Sequence, residues 1–249
     1  MKKGYQLYSA REVSKTRDGF ISTLEKVASY GYDGVEFFDY ADIPAAEIKK
    51  ILSANHLDAI NSHVSLDRWR NNLEQEIGYA TEAGIPALTI PYILPEQRTE
   101  KNYRDLFREL PAYVGAAKKA GLKVCYHNHD FEYQTLDGQP ILDAILSADN
   151  GLQLELDTFW TWFAGADPEA YLRKYAGRTP LIHIKDYLDR TKTPPVFCAI
   201  GEGKMENGNI VKTANSIGVE WIIVEQDNSL IDPLESARIS IENIKKAGW

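Results

Sequence analysis

Four short apolar segments of the chain each end in a side chain that can bind a metal ion or transfer a proton. The first reads Lys-Val-Cys-Tyr-His and ends at His127, and the other three lead to Asp157, His183 and Glu225. Two imidazoles and two carboxylates suit a borderline divalent cation such as Mn, Co or Zn, with Mg less well matched because it favours oxygen ligands. We therefore predict that the four ends meet around one divalent metal ion.

Three further ionisable side chains lie two residues from these predicted ligands. Residues two apart on a pleated strand point to the same side. His129 and Glu155 could therefore replace His127 and Asp157 as ligands, or hydrogen-bond to the ligands and orient them. The sequence leaves that choice open. Lys185, two residues after His183, could either stabilise an oxyanion or form a salt bridge.

A repeated order of helical pattern, glycine and short apolar run organises the chain. The glycines are Gly31, Gly84, Gly121 and Gly218. Glycine takes the left-handed conformation at the end of a helix without a Cβ penalty, so each of these positions predicts a helix end followed directly by a strand.

The intervals between these glycines contain eight strand candidates. They are residues 5–8, 34–38, 59–63, 87–91, 123–127, 152–156, 181–185 and 221–225. Helical apolar spacing marks residues 18–30, 44–54, 67–83, 100–120, 168–175 and 232–247, with Asp18 as the expected cap of the first and a short helix near residues 140–147.

Eight alternating units without a break in composition predict an α/β fold, a single (β/α)8 TIM barrel that spans residues 1–249 as one domain. A doubly wound open sheet is the rival architecture. No Gly-x-Gly-x-x-Gly follows the first strand to support it.

The carboxyl ends of barrel strands carry the active site in such folds. Besides the predicted ligands, polar or aromatic residues at these ends are the candidates for substrate binding: Gln6, Glu36, His63, Trp160 and Asp227. Other aromatic residues that follow strand ends could also stack on a sugar, although Trp162 is expected in the core. The Gly201–Gly203 turn is expected to be a tight loop, with phosphate binding by its N–H groups as a weaker alternative.

The composition excludes several classes of function. A net charge of −8 and a pI near 5.2 argue against nucleic acid as a partner, because that binding depends on clustered Lys and Arg. No apolar run approaches the length of a membrane span, and two cysteines are too few for a disulfide framework. We expect a cytoplasmic protein. Homo-oligomer formation is left open.

The motifs at the strand ends resemble those of the sugar phosphate isomerase/epimerase family, the xylose isomerase-like TIM barrels. The segments that carry the resemblance are Gly4-Tyr5-Gln6-Leu7-Tyr8-Ser9 with Arg11, Gly34-Val35-Glu36, Tyr126-His127-Asn128-His129-Asp130-Phe131-Glu132, Leu156-Asp157-Thr158-Phe159-Trp160, residues 167–178, His183-Ile184-Lys185-Asp186, Gly201-Glu202-Gly203 and Val224-Glu225-Gln226-Asp227. The resemblance implies a (β/α)8 barrel, one divalent metal ion and a small-molecule sugar or polyol substrate, with chemistry at the carbon next to its carbonyl group.

Two positions depart from the ketose epimerases of this family. Those enzymes hold their metal with Glu, Asp, His and Glu and use the two glutamates as acid and base, whereas the first ligand position here is His127. Trp160 also stands where they place a substrate-binding histidine. A two-glutamate mechanism therefore does not carry over unchanged, and His129 or Glu155 would have to supply the missing proton transfer. A related branch of the family consists of endonucleases that cleave DNA with three zinc ions. The acidic net charge of this chain disfavours that function.

The resemblance and the residues together predict a metal-dependent sugar isomerase or epimerase. The metal polarises a carbonyl group, Glu225 or His129 removes the neighbouring proton, and Lys185 or His63 stabilises the enediolate. If a substituent on the next carbon leaves instead, the same site is a dehydratase or lyase acting on a keto-sugar or keto-inositol. A sugar-binding barrel without catalysis is the remaining alternative.

Overall fold

Eight parallel strands form a closed barrel in the computed structural model, which describes all residues 1–249. The strands are β1 Lys2–Gln6, β2 Gly34–Phe37, β3 Asp58–His63, β4 Ala87–Ile90, β5 Lys123–His127, β6 Leu152–Asp157, β7 Leu181–Ile184 and β8 Trp221–Val224. Each strand pairs with its sequence neighbours, and β8 closes the barrel against β1. The predicted TIM-barrel fold is confirmed.

Nine α-helices follow or flank the strands. They are α1 Arg17–Tyr30, α2 Ala45–Ala54, α3 Leu66–Ala83, α4 Glu100–Lys119, α5 Ile141–Ser147, α6 Thr158–Phe163, α7 Pro168–Lys174, α8 Asn207–Ser216 and α9 Pro233–Ala247. The expected helices are present within one or two residues of their predicted bounds. The sequence analysis did not single out α6 and α8, since α6 has only six residues and α8 begins without a side-chain cap.

Two local predictions at the start of the chain were wrong. The first strand ends at Gln6 rather than continuing to Tyr8, because the Gln6 side chain accepts a hydrogen bond from the Tyr8 N–H and starts a 3₁₀ turn. The cap of α1 is Thr16, whose side chain accepts the Gly19 N–H, and Asp18 lies within the first turn. Thr16 has the extended backbone of an N-cap residue.

The glycine pattern behind the fold prediction is confirmed in the backbone. Gly31, Gly84, Gly121 and Gly218 all have positive φ angles between 79° and 91°, in the region that favours residues without a Cβ. Each turns the chain from the end of a helix towards the next strand.

The interior of the barrel is apolar at its amino end and polar at its carboxyl end. Ile60, Leu181 and Ile223 pack against one another inside the barrel, and a side chain at Gly4 would collide with the two isoleucines. This apolar plug closes one end, so the buried polar side chains above it connect with solvent only at the other. A separate cluster of 56 buried apolar residues includes the contacts between barrel and helices.

Two short antiparallel hairpins lie in the loops at the carboxyl end of the barrel strands. They pair Thr135–Leu136 with Gln139–Pro140, and Asp186–Asp189 with Val196–Cys198. None of the helices combines the length and the hydropathy that crossing a membrane requires.

Candidate active site

The carboxyl ends of four neighbouring strands bring the predicted metal ligands together. His127 and Asp157 end β5 and β6, His183 lies in β7, and Glu225 follows β8 directly. Each of the four residues offers one ligand atom, and these four atoms all lie within 4.8 Å of one another. All four residues are buried. Since Asp157 pairs in register with His183, these two side chains enter the barrel at the same level.

The contacts among these four residues fit a divalent cation. The Nδ1 atom of His183 lies 2.8 Å from Glu225 Oε2, and Nε2 of His127 lies 3.8 Å from Asp157 Oδ2. Asp157 Oδ1 accepts the Trp160 N–H, and its buried Oδ2 is 2.9 Å from the ammonium group of Lys185. Two buried imidazoles and two buried carboxylates within reach of one another are a donor set that a borderline metal ion satisfies.

The excess of negative charge in the barrel points to the same conclusion. The carboxyl groups of Glu36, Glu155, Asp157 and Glu225 are buried together, and Lys185 is the only lysine or arginine that forms ion pairs with any of them. Buried carboxylates are costly unless cations compensate them, so the site favours a bound cation.

Lys185 lies between three of the carboxylates at the top of the barrel. Its ammonium group is 2.9 Å from Asp157 Oδ2, 3.0 Å from Glu225 Oε2 and 3.0 Å from Asp227 Oδ1. Burial alone would lower the pKa of this lysine, but the carboxylates outweigh it and raise the pKa well above its usual range. Lys185 is therefore a permanent cation at neutral pH, and of its two predicted roles the structure contains the salt bridge.

A lower layer of polar residues supports the predicted ligands from inside the barrel. Glu36 accepts hydrogen bonds from Gln6 and Asn61, and its Oε2 lies 2.6 Å from Nε2 of His183. Gln6 and Glu36 were predicted to bind substrate. Both are completely buried and neither lines the cavity above, so the structure places them in a lower layer than the other predicted substrate contacts, and substrate binding by these two residues stays a prediction.

Glu155 occupies the centre of that layer. Its Oε1 lies 2.6 Å from Nε2 of His63, 3.0 Å from Nδ1 of His127 and 3.0 Å from Nε2 of His183. These four residues form a second group with the composition of a metal site. Burial raises the pKa of Glu155, but the imidazoles outweigh burial and hold the pKa well below its usual range, so the carboxyl group is ionised.

His183 is surrounded by carboxylates on both of its nitrogens. Burial lowers its pKa, whereas Glu36, Glu225 and Glu155 raise it further than burial lowers it. Without another cation this ring is therefore protonated, and it is the position at which a metal ion and a proton compete.

A cavity of about 660 Å³ opens above the candidate metal centre. The residues singled out from the sequence that line it are His63, His127, His129, Trp160, Glu225 and Asp227. Aromatic rings supply much of the remaining wall, namely Tyr8, Phe38, Tyr92 and Phe131. A cavity with this volume and a mixed aromatic and polar wall is typical of a small-molecule site.

His129 lies within the aromatic part of the wall. Its ring contacts those of Tyr92, Phe131 and Trp160 at centroid distances of 4.8, 5.8 and 5.7 Å, and its buried Nδ1 has no hydrogen-bond partner. Burial, the neighbouring His127 and Lys185 lower the pKa of His129 well below its usual range. The imidazole is neutral at pH 7 and able to accept a proton.

Two arginines of the cavity wall were missed in the sequence. Arg98 donates from Nε to the Ile93 carbonyl oxygen, and its guanidinium lies 3.5 Å from the ring centroid of Phe131. Arg68 forms a two-pronged ion pair with Glu76. Neither follows a strand directly, so the pattern of polar strand ends gives no signal for them.

The structure bears on two expectations about neighbouring loops, the tight loop at Gly201–Gly203 with its phosphate alternative and the core position of Trp162. The N–H groups of Gly201, Gly203 and Met205 donate to the carboxylate of Asp186, which occupies the position that a phosphate would take. Trp162 is half-buried rather than fully in the core, and it packs against the small aromatic cluster of Phe159, Tyr187 and Phe197.

Comparison with known proteins agrees with this architecture. A family model described as xylose isomerase-like TIM barrel matches residues 24–247, and the chain belongs to that family. A sugar phosphate isomerase/epimerase from Parabacteroides distasonis superposes with a TM-score of 0.80 at 24% identity, over 98% of this chain and 93% of its own. The structure of IOLI protein with a bound zinc atom superposes with a TM-score of 0.76 at 16% identity, over 100% and 96% of the two chains.

Curated relatives are named for a dehydration. An inosose dehydratase from Clostridium beijerinckii is 31% identical over 150 residues, which are 52% of this chain and 49% of the relative. The chain thus spans about half the length of the curated relatives it matches. These similarities show the family to which the chain belongs.

Proposed function

We propose that the protein is a divalent-metal-dependent isomerase or epimerase that removes the proton next to a carbonyl group of a sugar or polyol. The observation that carries the proposal is the convergence of His127, Asp157, His183 and Glu225 at the floor of a cavity large enough for a sugar. When bound there, the metal ion polarises the carbonyl group and makes the neighbouring C–H more acidic.

His129 is the candidate base that the geometry favours over Glu225. The His129 ring lines the cavity, and its neutral state leaves a lone pair for the substrate proton. Glu225 interacts with Lys185 and His183, and although burial raises its pKa, these cationic neighbours hold it well below the usual range. Because these two neighbours occupy the Glu225 carboxylate, we assign Glu225 to the metal ion and the proton transfer to His129.

Of the two residues predicted to stabilise the enediolate, we favour His63 because its ring reaches the cavity; both of its nitrogens contact Glu155 and Gln6, so it would act through the charge of its ring. His63 lines the cavity, whereas Lys185 is completely buried and already neutralises three carboxylates. Trp160 and Asp227 remain proposed substrate contacts, because both line the cavity wall. The aromatic rings near His129 exclude water and offer an apolar surface to the carbon face of a sugar.

A dehydratase acting on a keto-inositol is the second candidate function. Two observations favour it: the relatives named inosose dehydratase, and His127 at a position where ketose epimerases have a glutamate. Both reactions begin with the same proton removal. They differ in whether the carbanion is reprotonated or expels a hydroxyl group from the adjacent carbon.

Incubation with Mn²⁺ in deuterated water tests the proposal. Ketoses and keto-inositols are supplied separately, and NMR spectroscopy follows both deuterium incorporation next to the carbonyl group and the appearance of dehydrated product. Incorporation into a ketose without loss of water supports the isomerase or epimerase. Dehydration of a keto-inositol supports the second candidate. If no substrate shows either reaction, both candidate functions are contradicted.

The variant His129→Gln tests the assignment of the base. We expect proton exchange to fall about 10²–10⁴-fold, which is the usual contribution of a general base, with metal affinity unchanged. The matched control is His56→Gln, because His56 lies outside the cavity in the turn before β3. Equal exchange rates in His129→Gln and the unmodified protein would show that another group removes the proton.

A further inference from the structure

We propose that Glu155 is a positioning residue of the metal centre, which fixes the ring tautomers of His127 and His183 so that their free nitrogens face the cation. The inference rests on the proposed metal-dependent function. Glu155 lies two residues before Asp157 on β6, pairs in register with His127, and is completely buried.

The contacts of His127 assign different roles to its two nitrogens. Nδ1 lies 3.0 Å from Glu155 Oε1, while Nε2 is the nitrogen that faces Asp157 Oδ2, at 3.8 Å. Glu155 Oε2 accepts from Asn61 and Thr89, and Oε1 faces ring nitrogens only, so Oε1 is the acceptor in this contact and Nδ1 carries the hydrogen. Nε2 then presents its lone pair to the side where the other predicted ligands lie.

His183 shows the same division with its nitrogens exchanged. Its Nε2 faces two buried carboxylates, at 2.6 Å from Glu36 Oε2 and 3.0 Å from Glu155 Oε1. Its Nδ1 lies 2.8 Å from Glu225 Oε2. Because two carboxylate oxygens lie within 3.0 Å of Nε2, we place the hydrogen on that nitrogen, although neither contact has hydrogen-bond geometry, and Nδ1 is left for a cation shared with Glu225.

Glu155 has no free oxygen with which to bind a metal ion itself. Its Oε2 accepts hydrogen bonds from Asn61 at 2.5 Å and from Thr89 at 2.7 Å, while its Oε1 faces the three imidazoles. Asp157 Oδ2, in contrast, contacts only the ammonium group of Lys185, at 2.9 Å, and the side of His127 that carries Nε2, at 3.8 Å. Glu155 also lies below the cavity wall, so it does not touch the substrate.

The ring tautomers of the unmodified protein provide the first test. The chain has five histidines, so ¹⁵N-histidine labelling gives a spectrum simple enough to assign each ring. With Zn²⁺ as the diamagnetic probe, we expect His127 to carry its hydrogen on Nδ1 and His183 on Nε2. The opposite tautomer at either ring overturns the proposal without the need for a variant.

The variant Glu155→Gln provides the second test. We expect Zn²⁺ affinity, measured by competition with a chelating dye, to fall about 10–100-fold, as is usual when a carboxylate behind an imidazole ligand is removed. We also expect the spectrum of His127 to show a mixture of tautomers. The control is Asp143→Asn, because Asp143 is a buried carboxylate on α5 that contacts Lys174 and Tyr175 far from the centre.

The outcomes separate this inference from the proposed function. An unmodified protein that binds no Zn²⁺ contradicts the metal-dependent function and the inference with it. Zn²⁺ affinity in Glu155→Gln within twofold of the unmodified protein contradicts only the role of Glu155. Binding of two Zn²⁺ per chain, with one lost in Glu155→Gln, also overturns the inference, since Glu155 would then be a ligand of the second group.

Discussion

Replacement of Lys185 by methionine should destabilise the metal-free protein strongly and the metal-bound protein much less. The lysine ammonium lies 2.9–3.0 Å from carboxylate oxygens of Asp157, Glu225 and Asp227. At an effective dielectric constant of about 20, each contact contributes roughly 5 kcal/mol of Coulomb attraction, most of which offsets the desolvation of the charges. Methionine has a similar length but leaves the carboxylates uncompensated.

The expected magnitude is that of a broken buried ion pair, about 3–5 kcal/mol of the free energy of unfolding. For a domain of this size it corresponds to a decrease in Tm of roughly 6–20 °C. A divalent ion restores the missing positive charge, and its binding stabilises the folded state according to its concentration and affinity. We therefore expect Zn²⁺ to raise the Tm of Lys185→Met by more than it raises that of the unmodified protein.

Urea unfolding and thermal unfolding, each with a chelator and with excess Zn²⁺, measure this difference. The control is Lys101→Met, because Lys101 pairs with Asp105 at an exposed position of α4 and should change neither value measurably. Equal stability of Lys185→Met and the unmodified protein in the presence of chelator would refute the argument that Lys185 compensates the buried carboxylates.

The remaining predictions concern a ligand and a buried acid. His183→Ala should lose retention of Zn²⁺ while its circular dichroism spectrum stays that of a folded barrel, because the ring contacts only polar groups inside the barrel; retained Zn²⁺ would remove His183 from the ligand set. Glu132 should make the protein less stable as the pH rises from about 5 to about 8, because burial raises its pKa to about 8 in the folded state while the unfolded chain loses that proton near 4.5. Urea unfolding of Glu132→Gln and the unmodified protein at pH 5, 7 and 9 checks this, and a stability difference that does not change with pH would contradict it.

The sequence was sufficient to predict the barrel because each unit carries its own local signals. The turns at Gly31, Gly84, Gly121 and Gly218 have the backbone conformation that the pattern requires, and the strand at Lys123–His127 has the predicted bounds. Such signals lie within a few residues of the elements they determine.

The depth of each strand-end residue could not be predicted in the same way. Glu155 and Asp157 point to the same side of β6, but His127 pairs in register with Glu155, whereas His183 pairs with Asp157. This stagger between neighbouring strands follows from closure of the whole barrel. It places Glu155 behind the imidazoles, and the alternation of the pleat alone does not reveal it.

Local sequence patterns also could not predict which loop residues reach the cavity, or which distant residue of the chain each loop contacts. Arg98 reaches the cavity because its guanidinium packs on Phe131, a contact across 33 positions of the chain. Asp186 occupies the N–H groups of the loop that contains Gly201 and Gly203. In both cases a distant residue determines the role of the segment.

Anomalous diffraction from crystals grown with Zn²⁺ tests the central claim most directly. The account predicts one zinc ion per chain, bound by His127, Asp157, His183 and Glu225 at the floor of the cavity. The absence of an anomalous peak at this position, or a peak among His63, Glu155 and the inner nitrogens of His127 and His183, would contradict it.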